Sequence, residues 1–145
     1  MEDLKSLLKK VLADNFMLYF KAHSYHWNVE GMFFPMMHEF FGELYEELFK
    51  EVDVIAEHIR ILDEYAPRSL SEMMSHASII EDTQNITEVK DMVNQLITDN
   101  NLVLVSLMRA YQVAEDTSEL GVADYLQSRI DAHNKHAWML KSILK

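Results

Sequence analysis

The sequence predicts an all-α domain: a four-helix bundle whose second and third long helices are joined by a long crossover carrying a short helix. Three observations carry that expectation. Only 3 Gly and 2 Pro occur in 145 residues, too few to turn the corners of a sheet. Apolar residues recur at three- and four-residue spacing over four stretches of about 25 to 30 residues. One connection, roughly residues 66 to 86, is much longer than a bundle turn needs. It can carry the chain along the bundle and set the second and third long helices parallel.

Each element has its own signal. Leu4, Leu8, Val11, Leu12 and Leu18 mark a first helix from about residue 3 to Trp27, before Gly31 and Pro35. A second runs from about Pro35 to Tyr65 on the stripe Phe34, Phe41, Tyr45, Leu48, Val52, Ile55, Ile59 and Leu62, stopped by Pro67. Within the crossover, Ser69 to Glu72 (SLSE) reads as a capping box that opens a short helix. Thr87 is the expected cap of the third long helix, with Val89, Val93, Leu96, Val103, Leu107 and Tyr111 as its stripe. After EDTSELG the fourth carries Val122, Tyr125, Leu126, Ile130, Ala137, Leu140 and Leu144. The ten Met, including Met36-Met37 and Met73-Met74, read as core fillers. Residues 1–145 are expected to form one domain.

Composition narrows the function. With no Cys there is neither a disulfide framework nor a thiolate metal site, which suits a cytoplasmic protein, and any metal must use His, Asp or Glu. No apolar run approaches a membrane span. The net charge is −11, and the densest basic spot, Lys5, Lys9 and Lys10, is diluted by Glu2, Asp3 and Asp14. A duplex-binding surface needs clustered Lys and Arg, so DNA binding is not expected; cations suit this surface better.

The stretch from His23 to Arg60 holds the chemistry. His26 extends the stripe of the first helix, which for an isolated histidine means a hydrogen-bonded packing role. Asp53 and Glu57, four apart, share one face of the second helix, and an isolated acidic pair is commonly a solvated face. The row His38, Gly42, Phe49, Asp53 and Glu57 changes that reading, because a solvated stripe has no use for Phe49. His38 and Asp53 lie about 22 Å apart along a straight helix, beyond the reach of one ion. A two-fold partner with its second helix antiparallel, crossing near Tyr45 and Glu46, brings His26 and His38 of one chain to the other chain's Asp53 and Glu57. The site is shared between chains or it is absent.

KAHSYHWNVEGMFFPMMHEFFGELYEELFKEVDVIAEHIRIL resembles the signature of the Dps family, the mini-ferritins. The matching elements are His26-Trp27, His38 twelve residues later, and Asp53 with Glu57 in D-x-x-A-E; SRIDAHNKHAWMLKSIL resembles that family's last helix. The resemblance implies a ferritin-like fold and a hollow homododecamer built from two-fold dimers. It implies that His26, His38, Asp53 and Glu57 bind Fe(II), oxidise it with peroxide or O2, and pass Fe(III) to a mineral core. The family's further acid, four residues after the second His, falls on Gly42, which removes a ligand from a second iron position. Glu43 and Glu46 are nearby but off register. Asp124 matches a pore-lining acid, against the alternative of a solvated helical Asp. Trp27 reads as an interface ring or an electron donor. His58, His76, His133 and His136 read as surface or packing residues. Two rivals remain: a DNA-compacting shell, which needs a basic tail that the early start of the first helix leaves no room for, and a helical oligomer stapled by redox-inert zinc.

Overall fold

The computed structural model describes residues 3–145 as five helices: α1 (Leu4–Asn28), α2 (Phe34–Ile61), the short α3 (Leu70–Ser75), α4 (Val89–Asp116) and α5 (Leu120–Ile143). α1 packs on α2, α4 on α5, and α1 on α4, with α3 lying against α1. The expected stripes form one continuous core, in which Leu8, Leu12, Leu18, Phe41, Leu48, Ile55, Ile59, Met92, Leu96, Leu107 and Leu126 are fully buried. No helix among the described residues is long and apolar enough to cross a membrane.

Helix ends are where pattern and structure part. α2 stops at Ile61, not Tyr65, because Asp63 takes the left-handed conformation (φ 61°). Its N–H donates to the Arg60 carbonyl at 2.9 Å and that of Glu64 to Ile59 at 3.3 Å, a Schellman closure made without glycine. α4 ends the same way through Ser118 (φ 60°). Thr87 is not the cap of α4: Glu88 holds that place, while the Thr87 carbonyl accepts from Glu30 N–H at 3.1 Å in an isolated bridge that ties the start of α4 to the α1–α2 turn. Ser69 does cap α3, accepting from Glu72 N–H at 3.1 Å, but the returning Glu72 carboxylate takes Arg68 N–H.

The apolar pattern also overreaches at the bundle ends. Phe34 and Leu144 are exposed, as are Met36, Met74 and Met108, and Met32 is 89% exposed in the turn behind Gly31. Met17, Met37 and Met92 are the methionines that fill the core.

The crossover is held by polar residues of α1 that are themselves buried. Asp14 accepts from the Ser78 and Ile79 amides at 2.6 and 3.2 Å and from the Ser78 and Ser106 hydroxyls at 2.8 and 2.5 Å. Lys21, only 4% exposed, donates to the Ile80 carbonyl at 2.7 Å and to Asp99 at 2.5 Å. Tyr25 donates to Asp82 at 3.0 Å. Every one of these buried groups is answered, as burial requires.

Candidate metal centre

The α1–α2 turn brings His26, in the last turn of α1, against His38, in the second turn of α2. Gly31 makes this turn possible at φ 118°, a conformation closed to side chains. His26 Nδ1 lies 2.6 Å from the His38 carbonyl, and His38 Nδ1 lies 2.6 Å from the His26 carbonyl. A carbonyl only accepts, so both Nδ1 atoms carry a proton, and in the neutral tautomer this leaves the lone pair on Nε2. The His26 carbonyl belongs to the end of α1, where intrahelical donors run out, so His38 also serves as a helix cap. The rings stack 3.8 Å apart at 17°, and Phe34 lies on the outer face of His38 at 5.1 Å. A metal-ligating histidine ordinarily has its second nitrogen fixed in this way.

Gly42, one turn after His38, explains itself here. A Cβ built on it stands 3.1 Å from His26 Nδ1 and 3.2 Å from its Cε1. A side chain here would make the His26 ring give way by a few tenths of an ångström, so the bare backbone favours the ring position seen. Of the two possible substitutes for an acid at this position, Glu43 faces a groove towards α5, lined also by Glu47 and His136, and Glu46 is exposed.

His23 was not singled out in the sequence, although it lies three residues before His26 and four after Tyr19. It stacks on Tyr45 at 3.7 Å and 6°, meets Trp27 at 4.1 Å, and shares a 3.0 Å hydrogen bond with the Tyr19 hydroxyl. Burial, with the neighbouring His26 second, lowers its pKa. Trp27 itself is more than half exposed.

Asp53 and Glu57 are exposed on α2, far from the imidazoles. The hydrogen bond from Asp53, and then its charge, raise the pKa of Glu57. Among the described residues of one chain, no three His, Asp or Glu converge on a point where an ion could sit. Asp124 is exposed on α5.

A second polar cluster spans α2 and α5. Glu47 pairs with Arg129 and His136, Glu51 lies 3.6 Å from Arg129, and Tyr125 donates to Glu51. Burial pushes the Glu47 carboxyl up, but the bonds from His136 and Arg129 outweigh it and hold the group down at about 2. His133, buried beneath, has its pKa well lowered by burial and by Arg129. His133 and His136 thus have the packing roles expected of them, but as members of one network. Its signal was too distant to read: Glu47 and Arg129 are 82 residues apart.

Compared with known proteins, residues 5–145 match the ferritin-like domain family. The chain is 33% identical over 138 residues to "DNA protection during starvation protein 2" of Bacillus anthracis, covering 95% of this chain and 94% of that one. A Dps protein from Bacillus brevis has a crystal structure that superposes with TM-score 0.93 at 31% identity, covering 100% of both chains. Dps from Vibrio cholerae O1, a member of "a broad superfamily of ferritin-like diiron-carboxylate proteins", gives TM-score 0.94 at 27% identity over 98% of this chain and 89% of that one.

Proposed function

The chain belongs to the Dps family of the ferritin-like superfamily, and from that premise we propose that it is a mini-ferritin with ferroxidase activity. It takes up Fe(II) at sites shared across a two-fold dimer, oxidises it with peroxide or O2, and keeps the ferric product inside a dodecameric shell. The observation that carries this reading is the reciprocal bonding of His26 and His38, which aims two imidazole lone pairs away from the chain's own partners. Imidazole and carboxylate together suit Fe(II). Each ferrous ion gives up one electron, so one peroxide accepts from two ions and leaves as two hydroxides. Asp53 and Glu57 of the partner supply the negative charge that stabilises the ferric product more than the ferrous substrate. Gly42 contributes no ligand, so the shared site holds one ion firmly and a second weakly.

The related Bacillus anthracis protein carries DNA protection in its name. In this chain, at net charge −11, that protection comes from removing iron and oxidant and not from contact with DNA. A band shift that persists at physiological salt is the result that contradicts it. Aerobic Fe(II) oxidation separates the ferroxidase from a zinc-stapled oligomer, because zinc has no accessible redox step.

The decisive experiment mixes two damaged proteins. His26→Ala/His38→Ala and Asp53→Ala/Glu57→Ala each spoil both sites of a homodimer. In a mixed dimer one site collects all four substitutions and the other keeps every native ligand. Co-assembled chains should therefore regain up to about half of native activity per mixed dimer, as two-fold symmetry dictates. No recovery in verified mixed dimers rules out the shared geometry.

A further inference from the structure

The geometry points to Arg129 as an internal counter-cation that holds shut a second divalent-cation site, within one chain, made of Glu47, Glu51, His133 and His136. The donor set has the composition of the shared site, two imidazoles and two carboxylates, yet it lies wholly between α2 and α5. Arg129 Nη1 is paired with Glu47 and stands 3.6 Å from Glu51, and its Nη2 lies 3.4 Å from His133 Nε2. His136 closes on the other Glu47 oxygen.

His133 is oriented as a ligand would be. Asn100 donates its amide to the His133 carbonyl at 2.9 Å, which leaves its own side-chain oxygen to accept from His133 Nδ1 at 2.7 Å. Nδ1 therefore carries the proton, and the Nε2 lone pair faces the guanidinium. This buried imidazole with a carbonyl behind it is the arrangement that holds a metal-ligating histidine in place. The occupant is arginine, whose planar fork spreads the donors instead of drawing them to a point. With the guanidinium among them, the four ligand-type residues do not form a convergent cluster.

Charge makes the exchange plausible in one direction only. Arg129 is buried and stands against both Glu47 and Glu51, so without it both carboxylates lose their guanidinium. Two half-buried carboxylates left without a counter-charge attract another cation. Glu47 and Glu51 keep 32% and 21% of their side chains accessible, which gives them freedom to swing inward towards the fixed His133. A nitrogen and oxygen set of this kind takes Zn(II), Co(II) or Fe(II). Arg129 is thus a specificity determinant: it confines transition metals to the surface site and keeps them out of the bundle.

The test uses the full chain with His26→Ala/His38→Ala, so the shared site is silent and its failure cannot be mistaken for this one. Arg129→Met and Arg129→Lys are added separately, and Co(II) alone is titrated by visible absorption and calorimetry. The Met protein should bind about one Co(II) per chain with d–d absorption, at least about tenfold more tightly than the parent or the Lys protein, where the cation remains. A folded Met protein that binds no better than the Lys protein overturns the proposal, and so does a parent that binds equally well. A second variant, Arg129→Met/Glu51→Gln, halves the buried negative charge while keeping three ligands. If neither variant folds even with Co(II) present, the proposal also fails, because a competent ion should restore the missing charge.

Discussion

The α1–α2 end and the α2–α5 seam carry the same kinds of side chain and put them to opposite ends. At the seam, carboxylates and imidazoles are answered within the chain by Arg129, Asn100 and Tyr125. At the α1–α2 end, Nδ1 of each histidine is answered by a backbone carbonyl, and the proposed function gives Nε2 to an ion. Residue type therefore does not mark the site. What separates the two regions is which atoms find partners within the chain.

The strongest way to break this contrast is to truncate both regions. Arg129→Ala should cost about 2–3 kcal/mol, below the about 3–5 kcal/mol of a fully buried pair, because two half-buried carboxylates lose their guanidinium, and a clear fall in thermal midpoint reads it. His26→Ala/His38→Ala should leave stability within about 1 kcal/mol, since those rings are half-buried. That protein should still lose nearly all iron oxidation by stopped-flow absorbance. If the two effects trade places, the distinction between the regions fails.

Gly42→Ala sharpens the same point with one methyl group. Alanine favours the helix by about 1 kcal/mol, but the methyl presses on His26 Nδ1 at 3.1 Å. Stability should barely move while iron oxidation falls about tenfold, since displacing a ligand by a fraction of an ångström is felt chiefly in the chemistry. Unchanged oxidation means that His26 does not need its bond to the His38 carbonyl.

Acid should act on the seam in two stages. His133 has a folded pKa below its ordinary 6.5, so the unfolded chain binds more protons and stability declines as pH drops below about 6.5. Glu47 is depressed from 4.5 to about 2, so its contribution is fully present above 4.5 and is lost as pH falls towards about 2. Urea midpoints taken from pH 7.5 downward should show both declines, and His133→Gln should flatten the first alone.

The smallest expected effect concerns Asp124. If it lines an entry pore, Asp124→Asn should slow iron uptake by about twofold without changing oligomer size, through loss of one attracting charge. Equal uptake returns it to an ordinary solvated helical position.

How much of this was legible follows from the range of each signal. The long helices were readable because a 3.6-residue period is a property of the local chain. The proposal of a shared site came from the sequence, because the distance from His38 to Asp53 along one helix is too long for one ion to bridge. The end of α2 was hidden because Asp63, an ordinary residue, takes a conformation usually announced by glycine. Gly42 read only as a missing acid, since its role depends on a ring from another helix. The seam was invisible for the same reason, its partners being brought together by the fold alone.

The polar clasp of the crossover has a consequence for the order of folding. Asp14 reaches Ser78 across 64 residues and Ser106 across 92, whereas His26 and His38 are 12 apart. Closing short loops is fast and closing long ones is slow, so the histidine pair can assemble within an α1–α2 hairpin before the clasp exists. The amides of Ser78 and Ile79 then become protected only when the two hairpins dock. In pulse-labelled hydrogen exchange they should be among the last to resist deuterium, after the α1–α2 half with its histidine pair is already built.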